Sequence, residues 1–231
     1  MPDRRPPPAD ANERLFRAAE SGCISELQEA LHAGAGPSGG YKYESSLFAA
    51  ARSFHVEAVR TLLKAGADPN LPGISRVAPL WGALGHPSVC CPINRPRFRT
   101  DRLAILDALL AAGGNLNARA DDGRTFLLYL MTMWNDRDFM EGLLARGADA
   151  RVRDNHGDTA LTLLIERVFV SALAKDERIR LLIAAGVDVN AKDSRGKSAL
   201  DLVRDKARGS PIGEARDASS VMRMLIAAGA K

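Results

Sequence analysis

The chain has 231 residues, 46% of them apolar and 26% charged, which is the composition of a folded protein of one or two domains rather than of a disordered chain. Its longest apolar run, from Phe126 to Trp134, falls well short of the roughly 18 residues that a membrane-spanning helix needs, so such a helix is excluded. The net charge of +4 comes from 32 cations, 25 of them Arg, against 28 anions, a mild bias with no polybasic tail that does not by itself imply nucleic acid.

Aromatic residues make up only 5% while Ala and Leu recur in blocks, so the interior is expected to be built of closely packed helices. The first ten residues, MPDRRPPPAD, read as an unstructured Pro-rich arm and lack the apolar stretch of a secretory signal. Cys23, Cys90 and Cys91 are odd in number and two of them are adjacent, so no even disulfide framework arises. A reducing, cytoplasmic setting is the expectation, with export by a route independent of a signal peptide left open.

From residue 11 onward one pattern returns. In the first stretch Glu13, Arg14, Arg17 and Glu20 surround Leu15, Phe16 and Ala18, the polar outer face that the terminal unit of a stacked array requires. That stretch closes on HAGAGPS, and later stretches close on KAGADPN, AAGGNLN, ARGADAR, AAGVDVN and a truncated AAGAK. The shared glycines are Gly34, Gly66, Gly113, Gly147, Gly186 and Gly229. Upstream of each lies an amphipathic stretch such as VEAVRTLLKAG or RLAILDALLAAG, which predicts a helix stopped by a left-handed glycine. Before these come ESSLF, VAPLW, DDGRTFLLYL, DNHGDTALTLL and DSRGKSALDLV, the last three with a Gly-containing turn and a Thr or Ser able to cap a first helix. Each unit therefore reads as turn, helix, short link, helix.

The glycine spacings of 32, 47, 34, 39 and 43 fit a 33-residue period with extra residues, and the chain resembles the ankyrin repeat family over residues 11–231. LLKAGADPN with VEAV before it, and DNHGDTAL with IAAGVDVNAKD, carry the likeness best, while the T-P-L-H segment of the family is kept without its His. The implied repeats are approximately 11–40, 41–72, 73–119, 120–153, 154–192 and 193–231. The extra residues fall between first and second helices: His86 to Thr100, where Pro92 and Pro96 argue against helix, then near Val168 to Lys175 and near Arg208 to Arg216. The resemblance implies an all-α solenoid of helix-turn-helix units with projecting hairpin turns.

Sites of chemistry are weak. Gly34 to Gly39 satisfies G-x-G-x-x-G, but a helix precedes it and Pro37 removes a donor, so a linker is the better reading. Gly196-Lys197-Ser198 lacks the preceding strand and first glycine of a P-loop. His86, Cys90 and Cys91 lack both the usual spacing and a fourth ligand for zinc. His32, His55 and His156 sit on separate repeats with no carboxylate singled out beside them. No catalytic residue, cofactor or metal is expected.

The resemblance implies a non-catalytic module that binds another protein as an adaptor, inhibitor or neutralising partner, through hairpin tips and the helix face beside them. Matching the repeats places Arg119, Arg153 and Lys192 at equivalent positions before three turns. On those turns lie Asp121, Asp122 and Arg124, then Asn155, His156 and Asp158, then Ser194, Arg195 and Lys197. The first helices add Thr132, Met133 and Trp134, then Glu166 and Arg167. These residues suit a partner with an acidic strip, the apolar pair at the centre and the cations at its rim. The open alternative is that Asp154 and Asp193 neutralise Arg153 and Lys192 on a solvated edge. A secondary loop candidate is Arg95, Arg97, Phe98 and Arg99, whose alternation of Arg with an aromatic also admits a nucleic-acid or nucleoprotein-associated factor. A third reading is an enzyme with an unrecognised site. A monomer without membrane partners is expected.

Overall fold

The computed structural model describes residues 8–41, 44–71, 78–84, 96–133, 136–167, 177–208 and 212–231. The chain divides into two compact units, Met1–Ala118 and Arg119–Lys231. Each is taken by itself.

In the N-terminal unit the helices are α1 (Pro8–Ser21), α2 (Ile24–His32), α3 (Ser46–Arg52), α4 (Val56–Lys64) and α5 (Pro96–Ala111), with a 3-10 helix over Pro79–Leu84. Two short strands, β1 (Gly40–Tyr41) and β2 (Glu44–Ser45), pair antiparallel as a hairpin before α3. Ser45 accepts the Phe48 N–H at 3.1 Å and so starts α3, satisfying one of the orphan N–H donors of a helix N-terminus. Ala49, Ala50 and Ala51 are wholly buried on α3, and a Cβ on Gly82 of the 3-10 helix would come within 2.9 Å of Ala51 Cβ. Small residues on both sides allow that close approach. A larger side chain at Ala50 would strain the packing by about 1–3 kcal/mol.

The C-terminal unit holds α6 (Phe126–Met133), α7 (Arg137–Ala145), α8 (Ala160–Arg167), α9 (Glu177–Ala184), α10 (Ala199–Arg208) and α11 (Ile212–Ala227). Helix α6 packs on α8 and α8 on α10, while α7 meets α9 and α10 meets α11. Phe126, Leu127, Leu128, Leu130 and Met131 are all buried, so the all-round apolar character of this stretch is that of a deeply packed helix. Each such side chain removed from water stabilises the fold by about 1.5–3 kcal/mol.

All six repeated glycines take the left-handed conformation, with φ between 81° and 94°. After each, the next residue returns its N–H to the carbonyl five positions back, as Ala67 does to Leu62 at 3.0 Å and Val187 to Leu182 at 3.1 Å. That bond satisfies a carbonyl left over at the helix end, and only glycine enters the required φ without strain. Phe54 takes φ +61° at the link before α4, where Gly22 takes +75° in the preceding repeat.

Four expectations differ from what is observed. Helix α1 begins at Pro8, inside the stretch expected to be unstructured, and α5 begins at Pro96, so residues 96–100 are helical rather than loop. Proline is well placed at a first helical position, where its fixed φ suits the helix and its missing N–H is not needed. Helix α11 likewise begins at Ile212, inside the expected insertion. The first helix expected from VAPLW in the third unit is, over its described part Pro79–Leu84, a 3-10 helix. The remaining inserted residues 86–95, 168–176 and 209–211 lie outside the described residues, as do His86, Cys90 and Cys91.

Candidate protein-binding edge

Three like turns follow one another in the C-terminal unit, at 120–124, 154–158 and 193–197. Each is closed by a first-to-fifth backbone bond, as between Asp154 N–H and the Asp158 carbonyl at 3.0 Å, and by a glycine N–H returning to the first residue. Gly123, Gly157 and Gly196 stand at φ 78°, 78° and 74°. In the second and third turns an aspartate curls inward onto its own backbone. Asp154 Oδ1 accepts the His156 and Asp158 N–H groups, both at 2.9 Å, and Asp193 Oδ1 accepts those of Arg195 and Lys197, also at 2.9 Å. Both carboxylates are buried. Ala120 stands where these aspartates do, and Asp122 takes over by accepting the Arg124 N–H at 3.0 Å.

The cations are spent differently from the sequence expectation. Arg119 donates to the carbonyls of Gly123 at 3.2 Å and Arg153 at 2.8 Å, lacing the first turn to the second. Asn155 adds two bonds to the same junction, from its N–H to the Asp122 carbonyl at 3.0 Å and from Nδ2 to the Asp121 carbonyl at 2.9 Å. Arg124 reaches forward to Asp154 at 3.0 Å. Arg195 bonds Asp193 through Nε at 2.8 Å and also reaches Glu166 on α8. Thus Asp154 and Asp193 neutralise Arg124 and Arg195, not Arg153 and Lys192. The inward curl of each carboxylate onto its own turn directs it away from the residue before it.

Arg153 instead meets Asp188 at 3.5 Å, Lys197 meets Asp205 at 2.6 Å, and Lys192 is exposed, its backbone bridged to Ser198. Asp121, His156 and Ser194 are also exposed. Thr132 is half-buried and donates to the Tyr129 carbonyl at 2.8 Å. Met133 and Arg167 end α6 and α8, and Trp134 lies outside the described residues. Of the secondary candidate, Arg97, Phe98 and Arg99 lie in the first turn of α5 and Arg95 lies outside the described residues. They do not form a described loop.

The capping expectation divides. Ser198 accepts the Asp201 N–H at 3.3 Å, and Thr159 accepts that of Thr162 at 3.3 Å. Thr125 Oγ1 is buried without a hydrogen-bond partner among the described residues, and Leu128 offers no polar side chain where Thr162 and Asp201 stand in the other two repeats.

Charge is unevenly balanced along the edge. Burial pushes the Asp158 carboxyl up, and the charges of Asp154, Glu166 and Asp193 push it further, against a hydrogen bond from Thr162. Burial acts in the same direction on Asp193, but hydrogen bonds from Lys197 and Arg195 outweigh it and hold that carboxyl below its usual range. Burial depresses the Lys206 ammonium, which donates to the Glu166 carbonyl at 2.9 Å. Lys206, Asp188 and Asp205 were not picked out from the sequence. Asp188 alone carried a signal, since an acidic or amide residue two places after the helix-ending glycine recurs as Asp68, Asn115 and Asp149.

A sequence model of the ankyrin repeat matches residues 43–74. A putative ankyrin repeat protein of Acanthamoeba polyphaga mimivirus is 43% identical over 63 residues, which is 27% of this chain and 8% of that protein. The chain therefore spans less than a tenth of that relative's length. An ankyrin repeat domain from Acinetobacter baumannii matches with a TM-score of 0.74 and 23% identity, over 94% of this chain and 98% of that one. A structure of a predatory endopeptidase from Bdellovibrio bacteriovorus in complex with an immunity protein matches with a TM-score of 0.65 and 20% identity, over 89% of this chain and 96% of the matched one.

Proposed function

We propose that this chain, which matches the ankyrin repeat over residues 43–74 and shares the fold of a solved ankyrin repeat domain, works by binding another protein without catalysis, as an adaptor, inhibitor or neutralising partner. The observation that carries this reading is the edge of the C-terminal unit, where three rigid turns present exposed side chains on backbones fixed by repeated hydrogen bonds. Such a surface loses little freedom on binding. The solved complex of an endopeptidase with its immunity protein, on a similar fold, favours the inhibitor or neutralising form of the reading.

The contact surface we propose is the turn edge and the adjoining first helices. Lys192 and Arg153 supply the exposed cations for an acidic strip, Asp121, His156 and Ser194 the polar rim, and Met133 with Trp134 the apolar centre. Arg119, Arg124 and Arg195 hold the edge in shape and serve binding by positioning the others.

The test begins with affinity capture of the partner from the native cell. Charge reversal at Arg153 and Lys192 together is then expected to slow association about tenfold at low salt and to flatten its salt dependence, while Trp134→Ala speeds dissociation. Arg119 is left intact, since its reversal would unlace the turns. Folded variants that bind the captured partner as tightly as the parent would overturn this surface.

A further inference from the structure

The two junctions between the three turns carry opposite charge logic. At the first, Arg124 of one turn meets Asp154 of the next at 3.0 Å. At the second, the position of Arg124 is occupied by Asp158 and that of Asp154 by Asp193, so like charges replace an ion pair. The two turns are in close backbone approach there, because a Cβ on Gly157 would lie 3.0 Å from the Lys192 carbonyl oxygen. Asp158 belongs to no ion pair among the described residues. The charged groups around it are Asp154 on its own turn, Glu166 on α8 and Asp193 on the following turn, with Thr162 as its hydrogen-bond donor at 3.3 Å. Arg124 answers Asp154 from the preceding turn. Arg195 answers both Asp193 and Glu166, and its guanidinium crosses this junction to reach Glu166 on α8.

We propose that the junction of turns 154–158 and 193–197 is a latched seam, in which Arg195 holds shut an edge that four carboxylates tend to part, so that losing this latch frees the last turn and the helices α10 and α11 behind it. The seam is an opening mode of the fold and stands apart from the binding reading. Its base is anchored elsewhere: Asn190 Nδ2 donates to the Gly229 carbonyl at 2.9 Å, Asn190 Oδ1 accepts the Lys231 N–H at 2.9 Å, and Lys206 reaches the Glu166 carbonyl. Opening therefore starts at the turns. The Asp158 carboxyl is raised first by burial and then by the charges of Asp154 and Glu166, with Asp193 across the seam adding least, and a proton there relieves the repulsion that Arg195 otherwise opposes.

Amide hydrogen exchange of the full chain tests the seam. Asp158→Asn keeps the acceptor for Thr162 and removes one charge, and is expected to slow exchange in 199–208 and 212–227 by about two- to fivefold at neutral pH, the range for relieving a like-charge pair across neighbouring strands. Arg195→Ala is expected to speed exchange in the same segments, leaving 126–145 unchanged, and Asp158→Asn added to it is expected to restore most of the loss. As pH falls toward the carboxylate range, Asp158 takes up its proton in the folded protein first, so the advantage of Asp158→Asn over the parent should shrink. Exchange that is unchanged or faster in Asp158→Asn at neutral pH would overturn the seam. So would an advantage that does not vary with pH. Since Asp158→Asn is isosteric, it decides the matter even where Arg195→Ala does not fold.

Discussion

The two junctions inside the C-terminal unit are closed by different means. Between the repeats ending at Gly147 and Gly186, the turns are laced by Arg119, Asn155 and the Arg124–Asp154 pair. Between those ending at Gly186 and Gly229, turn lacing gives way to like charge, and Asn190 clamps the helix end with one donated and one accepted bond. The N-terminal unit repeats that clamp, with Asn70 Nδ2 on the Gly113 carbonyl at 2.9 Å and Oδ1 on the Asn115 N–H at 2.8 Å. Repeats of one architecture thus share a backbone while the side chains that join them are exchanged, and a junction lacking one device is held by the other.

The largest expected effect comes from breaking the laced junction at its buried point. Asp154 accepts two N–H groups of its own turn and the Arg124 guanidinium, and its side chain is fully buried. Asp154→Ala leaves those donors without an acceptor and is expected to lower stability by about 2–3 kcal/mol. Urea unfolding should show the midpoint fall with the slope unchanged. A loss below half of that range would mean that the turn is held by its backbone bonds alone.

A smaller effect is expected at the clamped junction. Asn190→Ala removes both bonds from an exposed site where water can replace them, at a cost of about 1–2 kcal/mol. Exchange should quicken most at the Lys231 amide, which loses its acceptor. Asn70→Ala should do the same at Asn115, and unequal losses at the two sites would show that the clamp's worth depends on the repeat around it.

The pattern of these devices sets how much was legible in the sequence. Helix-ending glycines need one conformation wherever they occur, so Gly34, Gly66, Gly113, Gly147, Gly186 and Gly229 disclosed the architecture without reference to neighbours. The amphipathic stretches before them were equally local. Pairing across a junction depends on which side chain the adjacent repeat offers. Asp154 lies beside Arg153 in sequence and beside Arg124 in space, so adjacency suggested the wrong partner. Arg119 is exposed as expected, but nothing in its own segment reveals that the Arg153 carbonyl lies within its reach. Pro96 was read as a breaker, although the same residue at a first helical position begins α5.

The smallest expected effect would sharpen the comparison by giving the laced junction the device it lacks. The residue four places after the helix-ending glycine is Asn at 70, 117 and 190, with Asn70 and Asn190 forming the clamp described above, and Ser38 uses its hydroxyl there to accept the Asp68 N–H at 2.9 Å. At the equivalent place stands Arg151, whose guanidinium lies against Gly186, since a Cβ on that glycine would be 3.2 Å from Nη2. Arginine donates but cannot accept, so it offers nothing to the Asp188 N–H, the group corresponding to those of Asp68, Asn115 and Lys231. Arg151→Asn is expected to install both bonds and raise stability by about 0.5–1 kcal/mol. Arg153 already draws Asp188 toward this junction through their 3.5 Å contact, so the amide would join a segment that is partly held. Arg151→Ala separates the two contributions, because it removes the guanidinium without supplying an amide. If the Asn variant unfolds at the same denaturant concentration as the Ala variant, and the Asp188 amide exchanges equally fast in both, then the clamp is not transferable and lacing alone sets the strength of this junction.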